Sequence, residues 1–457
     1  MLAQETVNEA EAKRLLSPVW ARYTSIVADH AAGCYIYAED GRRYLDFSAG
    51  IGVTNTGHCH PRVVAAAQEQ TARLIHGQAN IVYHKPMLQL AERLRPIVPA
   101  GLDRFFFSNS GAEAIESAIK LARFASGRSA IVAFEGGFHG RTIGTLSLTS
   151  SKAKYKAHMG PYMSGVYTTP YPYCYRCQYR RQGTSASNAY THGAGVDDRV
   201  ATPEGSAMGA SSCCQAGLPA LRTLLASQVY AEDVAAVLVE PILGEGGYVV
   251  PPDGFLRDLR ALCDEYGILL IVDEVQSGFG RTGTFFAVEQ AGITPDIMVM
   301  AKGLASGFPL SGIAARPELM EKWMPGVHGG TYGGNAVSCA AAGATIDVMR
   351  GDDLPGNARR QGEALMAGLR RLQGQYPFIG DVRGRGLMVA AEIVAPDGGP
   401  DGARTTALLH ACLDRDMILL NCGVWDQVVR FIPPLIVTAK QIEDALRIFE
   451  GALASVA

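Results

Sequence analysis

The sequence predicts an α/β fold whose central sheet is mostly parallel. Short apolar runs bounded by turns recur along the chain, and helical patterns such as residues 112–125 and 255–266 lie between several of them. Buried parallel strands have nearly continuous apolar sequences, and alternation of strands with helices is typical of this fold class. We predict strands at residues 104–108, 130–134, 234–239, 268–272, 297–300 and 312–315.

Length and composition predict a soluble protein with two packed units. The 457 residues exceed the length at which a single hydrophobic core stops growing. With 48% hydrophobic residues, 19% charged residues and a formal net charge of -3, the chain has no basic excess for binding nucleic acid. Its first thirty residues contain no apolar stretch of signal-peptide length, and no run reaches the roughly 20 apolar residues that cross a bilayer. We therefore expect a cytoplasmic protein with neither membrane nor nucleic-acid partners.

The predicted elements divide the chain into three segments. Residues 1–58 include a β-hairpin around the turn residues 39–41. Residues 59–334 hold the predicted strands of the main sheet and form the expected large domain. Residues 335–457, which begin with long helical patterns, form the expected smaller domain. Within the large domain, residues 182–217 are rich in Ser, Gly, Ala and Thr without periodicity, which is typical of a long surface loop.

The ten cysteines are scattered along the chain, as is usual for reduced thiols in a cytosolic enzyme. Cys174 and Cys177, followed by the adjacent Cys213 and Cys214, hint at zinc ligands. Zinc ribbons need a second C-x2-C pair rather than two adjacent cysteines. We therefore predict loop thiols here, and no metal site.

Two predicted strands deliver reactive side chains to one edge of the sheet. Asp273 follows the run 268–272, and Lys302 follows the run 297–300. Lys302 is the only one of nine lysines that follows an apolar strand, and small residues flank it. A buried unpaired ammonium is unfavourable, whereas a desolvated lysine with a lowered pKa is a good nucleophile toward an aldehyde. Such a lysine, with an acid that keeps a pyridine nitrogen protonated, is what pyridoxal 5'-phosphate requires of its protein.

An apolar strand that ends at Asp273 is also typical of the magnesium-binding acid of a P-loop ATPase. That class of protein requires a G-x4-G-K-[ST] loop, and no lysine of this chain follows a glycine. We therefore favour the pyridoxal-phosphate interpretation, in which Gln276 can hydrogen-bond the ring hydroxyl.

The segment from Ser108 to Glu113 predicts a phosphate cradle. It joins a strand to a helix, and the first N–H groups of a helix point at a bound anion. Gly111 and Ala112 are the expected donors, although an ordinary helix cap formed by Ser110 is an alternative interpretation.

A second loop follows the strand at residues 130–134 and holds Phe138, His139 and Arg141. Phe138 can stack on the pyridine ring, or it can pack in the core. His139 and Arg141 lie either at the site or on a solvated loop.

Five separated motifs resemble, in content and order, the class III (ω-amino acid) aminotransferases, and the likeness is greatest to the 4-aminobutyrate branch. The likeness extends from Tyr35 to the C-terminal helix, and residues 174–217 depart from it as an insertion. It implies a pyridoxal-phosphate transferase of fold type I, in which a large domain contains a seven-stranded sheet. The smaller α+β domain is then built from the N- and C-terminal segments. The motifs occupy residues 109–113, 138–142, 240–247, 272–283 and 301–303.

The resemblance also implies how the cofactor is held. Lys302 is the Schiff-base lysine, Asp273 faces the ring nitrogen, and Gln276 lies near the ring hydroxyl. Val275 packs under the ring, opposite Phe138.

The resemblance further implies that the phosphate is shared between subunits. Gly111 and Ala112 hold it from their own subunit, while Thr331 reaches the phosphate of the neighbouring subunit. His139 is expected among the residues that bind the cofactor. We therefore expect an obligate homodimer with active sites at the interface, either alone or paired into a tetramer.

The resemblance implies two arginines at different distances from the reacting carbon. Arg141 is similar to the one that holds the distal carboxylate of a 4-aminobutyrate-like donor. Arg430 is similar to the one that binds the α-carboxylate of glutamate or 2-oxoglutarate, and Glu245 to the acid that pairs with it when an ω-amine is bound. Ile51 corresponds to an apolar wall of the substrate pocket.

These assignments predict an aminotransferase that moves the terminal amino group of 4-aminobutyrate to 2-oxoglutarate by ping-pong kinetics, with 5-aminovalerate or ornithine as alternative donors. An amino-acid racemase or epimerase that uses the same lysine and acid stays open as an alternative. A catalytically silent cofactor-binding or regulatory protein is disfavoured, because the reactive residues are all in place and no basic extension is present.

Overall fold

The computed structural model describes residues 9–177 and 217–457. The strands are β1 (Ala28–Ala32), β2 (Tyr35–Ala38), β3 (Arg43–Asp46), β4 (Arg104–Ser108), β5 (Ala130–Phe134), β6 (Val166–Thr169), β7 (Val234–Val239), β8 (Leu269–Asp273), β9 (Ile297–Met300), β10 (Ser311–Ala315), β11 (Ile379–Arg385), β12 (Met388–Ile393), β13 (Met417–Ile418), β14 (Leu420–Cys422) and β15 (Val428–Phe431). The helices are α1 (Glu9–Leu15), the short, kinked α2 (Ala49–Gly52), α3 (Pro61–Arg73), α4 (Lys85–Leu94), α5 (Gly111–Ser126), α6 (Ile143–Leu148), α7 (Gly217–Ser227), α8 (Phe255–Tyr266), α9 (Val288–Ala291), α10 (Pro317–Met320), α11 (Ala336–Gly351), α12 (Leu354–Gln375), α13 (Gly402–Leu413) and α14 (Ala439–Val456).

The central sheet has seven strands in the order β4-β10-β9-β8-β7-β5-β6. Strand β10 is antiparallel to both β4 and β9, and the other pairs in the sheet are parallel. The predicted α/β fold with a mostly parallel sheet is therefore confirmed. Each of the six strands predicted from apolar runs is present within one residue of its expected bounds. The seventh, β6, was not among those runs, because its short sequence Val-Tyr-Thr-Thr lies at the edge and is only partly buried.

Both faces of this sheet are buried, which explains the continuous apolar runs. All six residues of β7 are buried. Because side chains alternate along a strand, Ile131 packs with α5 on one face, while Val132 packs into the larger core with α8 on the other. Burying one such side chain stabilises the fold by about 1.5–3 kcal/mol. The sheet is therefore a rigid platform, and its carboxyl edge is where parallel α/β folds bind ligands.

A smaller sheet joins the two ends of the chain. Strands β2 and β3 form the predicted hairpin, with Tyr35 opposite Leu45. Strand β13 pairs in parallel with β3, so that Met417 also lies opposite Leu45. A third sheet, in the order β11-β12-β15-β14, is antiparallel, and it places Arg430 beside Ala390. The domain boundaries at residues 58 and 334 stay a prediction.

Two further predictions concern loops and membranes. Cys174 is disulfide-bonded, so the prediction of loop thiols is wrong for that residue. The predicted surface loop lies outside the described residues as far as Ala216, and so do Cys213 and Cys214. Gly217 begins α7. Every α-helix within the described ranges is too short or too polar to cross a bilayer.

Candidate active site

A cavity of about 380 Å³ opens at the carboxyl edge of the central sheet. The ends of β5, β7, β8 and β9 and the start of α5 surround it. The predicted residues that line it are Gly111, Ala112, Phe138, His139, Glu245, Asp273, Val275, Gln276 and Lys302. The remaining four, Ile51, Arg141, Thr331 and Arg430, are not among its lining residues.

Lys302 enters the cavity two residues after β9 ends. Its φ of 45° lies in the left-handed region, which is unfavourable for a residue with a side chain and is often found at functional sites. Loss of water around the ammonium lowers the pKa of Lys302, although the nearby carboxylates of Glu245 and Asp273 oppose that change. A lowered pKa leaves more of the lysine as the free amine, which is the nucleophilic form.

Asp273 is fixed at the end of β8 by two hydrogen bonds. His139 Nδ1 lies 2.8 Å from Asp273 Oδ2, and the backbone N–H of Val275 donates to Asp273 Oδ1 over 3.0 Å. Burial alone lowers the pKa of His139, but the hydrogen bond and the charge of Asp273 outweigh burial and raise that pKa above its ordinary value. The hydrogen bond to His139 holds the Asp273 carboxylate in place at the wall of the cavity. Asp273 is therefore suited to hold a cation in the cavity.

The start of α5 forms the expected cradle. Ser110 is the N-cap and accepts a hydrogen bond from the N–H of Glu113, so the N–H groups of Gly111 and Ala112 have no partner within the helix. Both residues line the cavity. Gly140, with a φ of 131°, lets the loop after β5 close on this helix, because a side chain there would come within 2.7 Å of the Ala112 side chain. Helix capping and anion binding are thus compatible at this helix start.

Phe138 and Val275 both line the cavity. The ring of Tyr155 packs edge-on against Phe138, with ring centroids 5.8 Å apart. Val275 lies against the start of α5, since a side chain at Gly111 would approach it to 3.2 Å. Gln276 is buried, and its Oε1 atom has no hydrogen-bond partner among the described residues.

Glu240 is a buried acid of the site that the sequence patterns did not single out as functional. It follows β7 directly, lines the cavity, and accepts hydrogen bonds of 2.8 Å from the N–H groups of Phe138 and Gly244. Burial raises the pKa of Glu240 to about 7. The signal that identified Asp273, an acid at the end of an apolar strand, also applied to Glu240.

Phe308 and Leu310 line the cavity as well, and no sequence signal marked them.

Glu245 and Arg430 form an ion pair. Arg430 Nη1 donates to Glu245 Oε1, and the arginine side chain is only 1% exposed. Burial alone raises the pKa of Glu245, but the charge of Arg430 outweighs burial and lowers that pKa below its ordinary value. Strand β15 presents Arg430, and the turn from Gly244 to Tyr248 presents Glu245.

Arg141 contrasts with Arg430. It is exposed, and its guanidinium carbon lies 4.3 Å from the ring centre of Tyr155 and 5.9 Å from that of Phe138. Among the described residues, no carboxylate pairs with it.

The last two predicted residues lie outside the cavity lining. Ile51 has a φ of 67°, an unusual value for a β-branched residue, and Thr331 is exposed.

The model of the class-III aminotransferase family matches residues 16–453. The chain belongs to this family. The 5-aminovalerate aminotransferase of Pseudomonas putida is 38% identical over 94% of this chain and 94% of that protein. The 4-aminobutyrate aminotransferase of Escherichia coli is 39% identical over 93% of this chain and 92% of that protein. The predicted family and its aminotransferase activity are thereby confirmed.

Two further similarities bear on fold and reaction. The solved structure of the ornithine aminotransferase of Toxoplasma gondii is 29% identical, with a TM-score of 0.81 over 98% of this chain and 94% of that chain. That structure has pyridoxal phosphate at partial occupancy in its active site. An alanine/serine racemase of Pyrococcus horikoshii is 35% identical over 97% of this chain and 89% of that protein. Class-III aminotransferases depend on pyridoxal phosphate and act on amino and keto-acid substrates, so the predicted cofactor is confirmed.

The residues of this aminotransferase fit that cofactor. Lys302 offers an amine with a lowered pKa, and Asp273 offers a carboxylate that is hydrogen-bonded to His139. The start of α5 offers a phosphate N–H groups that have no partner within the helix, and Phe138 and Val275 offer apolar surfaces for a ring. When bound, pyridoxal phosphate supplies an aldehyde that captures amines and a ring that accepts the electron pair released from a substrate carbon.

Proposed function

We propose that this aminotransferase takes its amino group from an ω-amino acid of four or five carbons and gives it to 2-oxoglutarate. The observation that carries this proposal is the difference between its two arginines. Arg430 has a built-in counter-ion in Glu245, whereas Arg141 has no carboxylate partner among the described residues.

An ω-amino donor and an α-keto acceptor place their carboxylates differently. The donor has no carboxylate on the carbon that reacts, so Arg430 needs another partner, and Glu245 supplies it. The acceptor has a carboxylate at that position, which replaces Glu245 on Arg430. Without a counter-ion in either state, the buried Arg430 would be strongly unfavourable.

Arg141 is assigned to the distal carboxylate, which both the ω-amino donor and 2-oxoglutarate carry. A guanidinium binds a carboxylate through two parallel hydrogen bonds. Its exposure and its support by Tyr155 leave the guanidinium available to a ligand. Ile51 is assigned to the apolar wall beside the donor's methylene groups.

The other residues are assigned to the cofactor and to proton movement. Lys302 would hold the cofactor through its aldehyde, and its amine would serve as the base that moves a proton at the reacting substrate carbon. Asp273, hydrogen-bonded to His139, would pair with the protonated ring nitrogen, and Gln276 would orient the ring hydroxyl. Gly111 and Ala112 would hold the phosphate, and Val275 and Phe138 would provide apolar contacts for the ring.

We also propose a homodimer in which Thr331 reaches the phosphate of the partner subunit. Large apolar side chains near Thr331 are exposed in the single chain, including Tyr332 at 63%, Ile75 at 60% and Ile81 at 77%. Exposed apolar patches of this kind mark protein interfaces. Mixing Lys302→Ala with Thr331→Val subunits is then expected to create one intact site per mixed dimer, which restores tight cofactor binding. Cofactor affinity that stays at the Thr331→Val level would contradict the shared site.

A donor panel tests the proposed function. The holoenzyme is given 4-aminobutyrate, 5-aminovalerate or ornithine with 2-oxoglutarate or pyruvate, and we expect glutamate to form fastest from one of the first two donors. The named activities of the two relatives above support this choice. The similarity to a racemase adds a second arm, in which an amino acid alone is followed by chiral analysis. Inversion without a keto acid, in the absence of transamination, would overturn the proposal.

A further inference from the structure

The turn from Gly244 to Tyr248, which presents Glu245, has an unfavourable backbone. Tyr248 has a φ of 52° and Gly247 a φ of 124°. A residue with a side chain rarely adopts such a φ, and it does so where the surrounding structure holds it in place. Within the turn, the N–H of Tyr248 donates to the carbonyl of Gly244 over 3.2 Å. The turn therefore depends on contacts from outside it.

Arg383, on β11, supplies such contacts. Its Nη2 atom donates to the carbonyl of Gly247 over 2.6 Å, and its Nε atom donates to the carbonyl of Tyr248 over 3.2 Å. The arginine side chain is 10% exposed. Charged donors in a site with little water form strong hydrogen bonds. One guanidinium thus fixes the two residues that follow the Glu245–Gly246 pair.

Acidic and phenolic groups orient Arg383 in turn. Its Nη1 atom donates to Glu392 Oε2 over 2.6 Å and to Asp381 Oδ2 over 2.8 Å. Its Nη2 atom lies 2.8 Å from the hydroxyl of Tyr173, and that hydroxyl donates to Glu392. Arg176 also donates to Glu392, which is fully buried. The acidic and phenolic groups therefore fix the orientation of the planar Arg383 guanidinium, so that its remaining N–H groups point at the carbonyls of the turn.

We propose that Arg383 is the positioning residue that keeps Glu245 on Arg430, and that Tyr173, at the base of the 174–217 insertion, takes part through Glu392. This inference rests on the proposed function, in which Glu245 serves as the counter-ion during the ω-amine half-reaction. Glu392 lies opposite Val428 on β15, the strand that carries Arg430. The strand that carries Glu392 is thus paired with the strand that carries Arg430.

Loss of the Arg383 fork is expected to let the Glu245 turn relax. Arg430 then meets its counter-ion less often and becomes more available to an α-carboxylate. We therefore expect kcat/KM for the ω-amino donor to fall, because that donor depends on the Glu245–Arg430 pair. For glutamate as the donor, kcat/KM is expected to rise.

The test compares Arg383→Met with Arg385→Met in the holoenzyme. Arg385 lies on the same strand but pairs with the exposed Asp253 on the surface. For Arg383→Met we expect the ratio of kcat/KM for 4-aminobutyrate to kcat/KM for glutamate to fall about tenfold, as the loss of a charged hydrogen bond implies. Arg385→Met is expected to leave the ratio unchanged. In a Glu245→Gln background, Arg383→Met is also expected to leave it unchanged, because its effect passes through Glu245.

Tyr173→Phe provides a second variant that retains the ring and removes one hydroxyl. It is expected to shift the same ratio in the same direction, and it decides the question if Arg383→Met does not fold. Equal losses with both donors, or a shift that persists in the Glu245→Gln background, would overturn the proposal. Failure of the proposed function is distinguishable, because the wild-type enzyme would then fail to transfer nitrogen from an ω-amino acid to 2-oxoglutarate before any variant is compared.

Discussion

Arg430 donates a hydrogen bond to Glu245 in a place where the two side chains are 1% and 15% exposed. A buried pair of this kind adds little net stability, because the loss of hydration offsets the attraction between the charges. Removal of one partner, however, leaves an unpaired buried charge and costs about 3–5 kcal/mol. The pair is therefore better suited to a switch, in which a substrate carboxylate takes the place of Glu245, than to holding the fold together.

Glu245→Gln removes the charge of the counter-ion and keeps its shape. We expect kcat/KM for glutamate to rise relative to that for 4-aminobutyrate by about tenfold, since Arg430 then lacks a charged competitor for the α-carboxylate. Steady-state kinetics with both donors measure this change. Glu265→Gln is the control, because Glu265 pairs with Arg222 on the surface. An unchanged donor ratio in Glu245→Gln would contradict the switch.

Arg430→Ala, made together with Glu245→Gln so that no buried charge is left unpaired, isolates the α-carboxylate site. We expect the half-reaction with 2-oxoglutarate to slow by about 100-fold, because a charged, bidentate contact is lost. The half-reaction with 4-aminobutyrate is expected to change much less. Stopped-flow spectra of the two cofactor forms report each half-reaction separately. Equal losses in both would refute separate roles for the two arginines.

Arg141→Met removes the exposed guanidinium and retains an apolar chain over Tyr155. We expect KM for 4-aminobutyrate to rise at least about tenfold, while KM for 1-aminobutane, which has no carboxylate, stays unchanged. Arg43→Met is the matched variant, because Arg43 is also exposed and lies 4.5 Å from the ring centre of Tyr35. If KM for both amines rose together, Arg141 would have a structural role instead.

The lowered pKa of Lys302 predicts a pH dependence. Only the free amine captures the cofactor, so the rate at which apoenzyme captures pyridoxal phosphate should rise with pH and level off below 10.5, the ordinary lysine value. Glu245 raises the pKa of Lys302 and Arg430 lowers it, so Glu245→Gln should move the inflection to still lower pH. Rapid-mixing absorbance measurements at a series of pH values test both statements. An inflection at or above 10.5 would show that burial does not control this amine.

The strands of the central sheet and the reactive residues at their ends could be predicted from the sequence, for a physical reason. Buried parallel strands need apolar side chains on both faces, so a polar residue such as Asp273 at a strand end stands out. Glu240 is also an acid at the end of an apolar strand. Only the structure shows that it accepts hydrogen bonds from the N–H groups of Phe138 and Gly244 and so connects two loops of the site. Strand β6 was too short and too partly buried to give a clear pattern.

Other features depend on contacts between distant parts of the chain. Arg430 lies in a four-residue strand, and residue patterns alone do not separate it from 31 other arginines; only the family resemblance marked it. The contacts of Arg383 with the turn at Gly247 join residues 136 positions apart. The disulfide at Cys174 likewise went against a prediction based on spacing and cellular compartment. Pairings of this kind are set by the tertiary fold, which local periodicity does not contain.

The most direct test of the central claim follows one nitrogen atom through the enzyme. Holoenzyme is mixed with 4-aminobutyrate labelled with heavy nitrogen, freed from unreacted donor, and then given 2-oxoglutarate, with mass spectrometry after each step. The proposed function predicts one semialdehyde per active site before any keto acid is added, and then labelled glutamate in equal amount. Lys302→Ala should produce neither. Absence of semialdehyde in the first step, with 5-aminovalerate as well as with 4-aminobutyrate, or glutamate without the label in the second, would contradict the account.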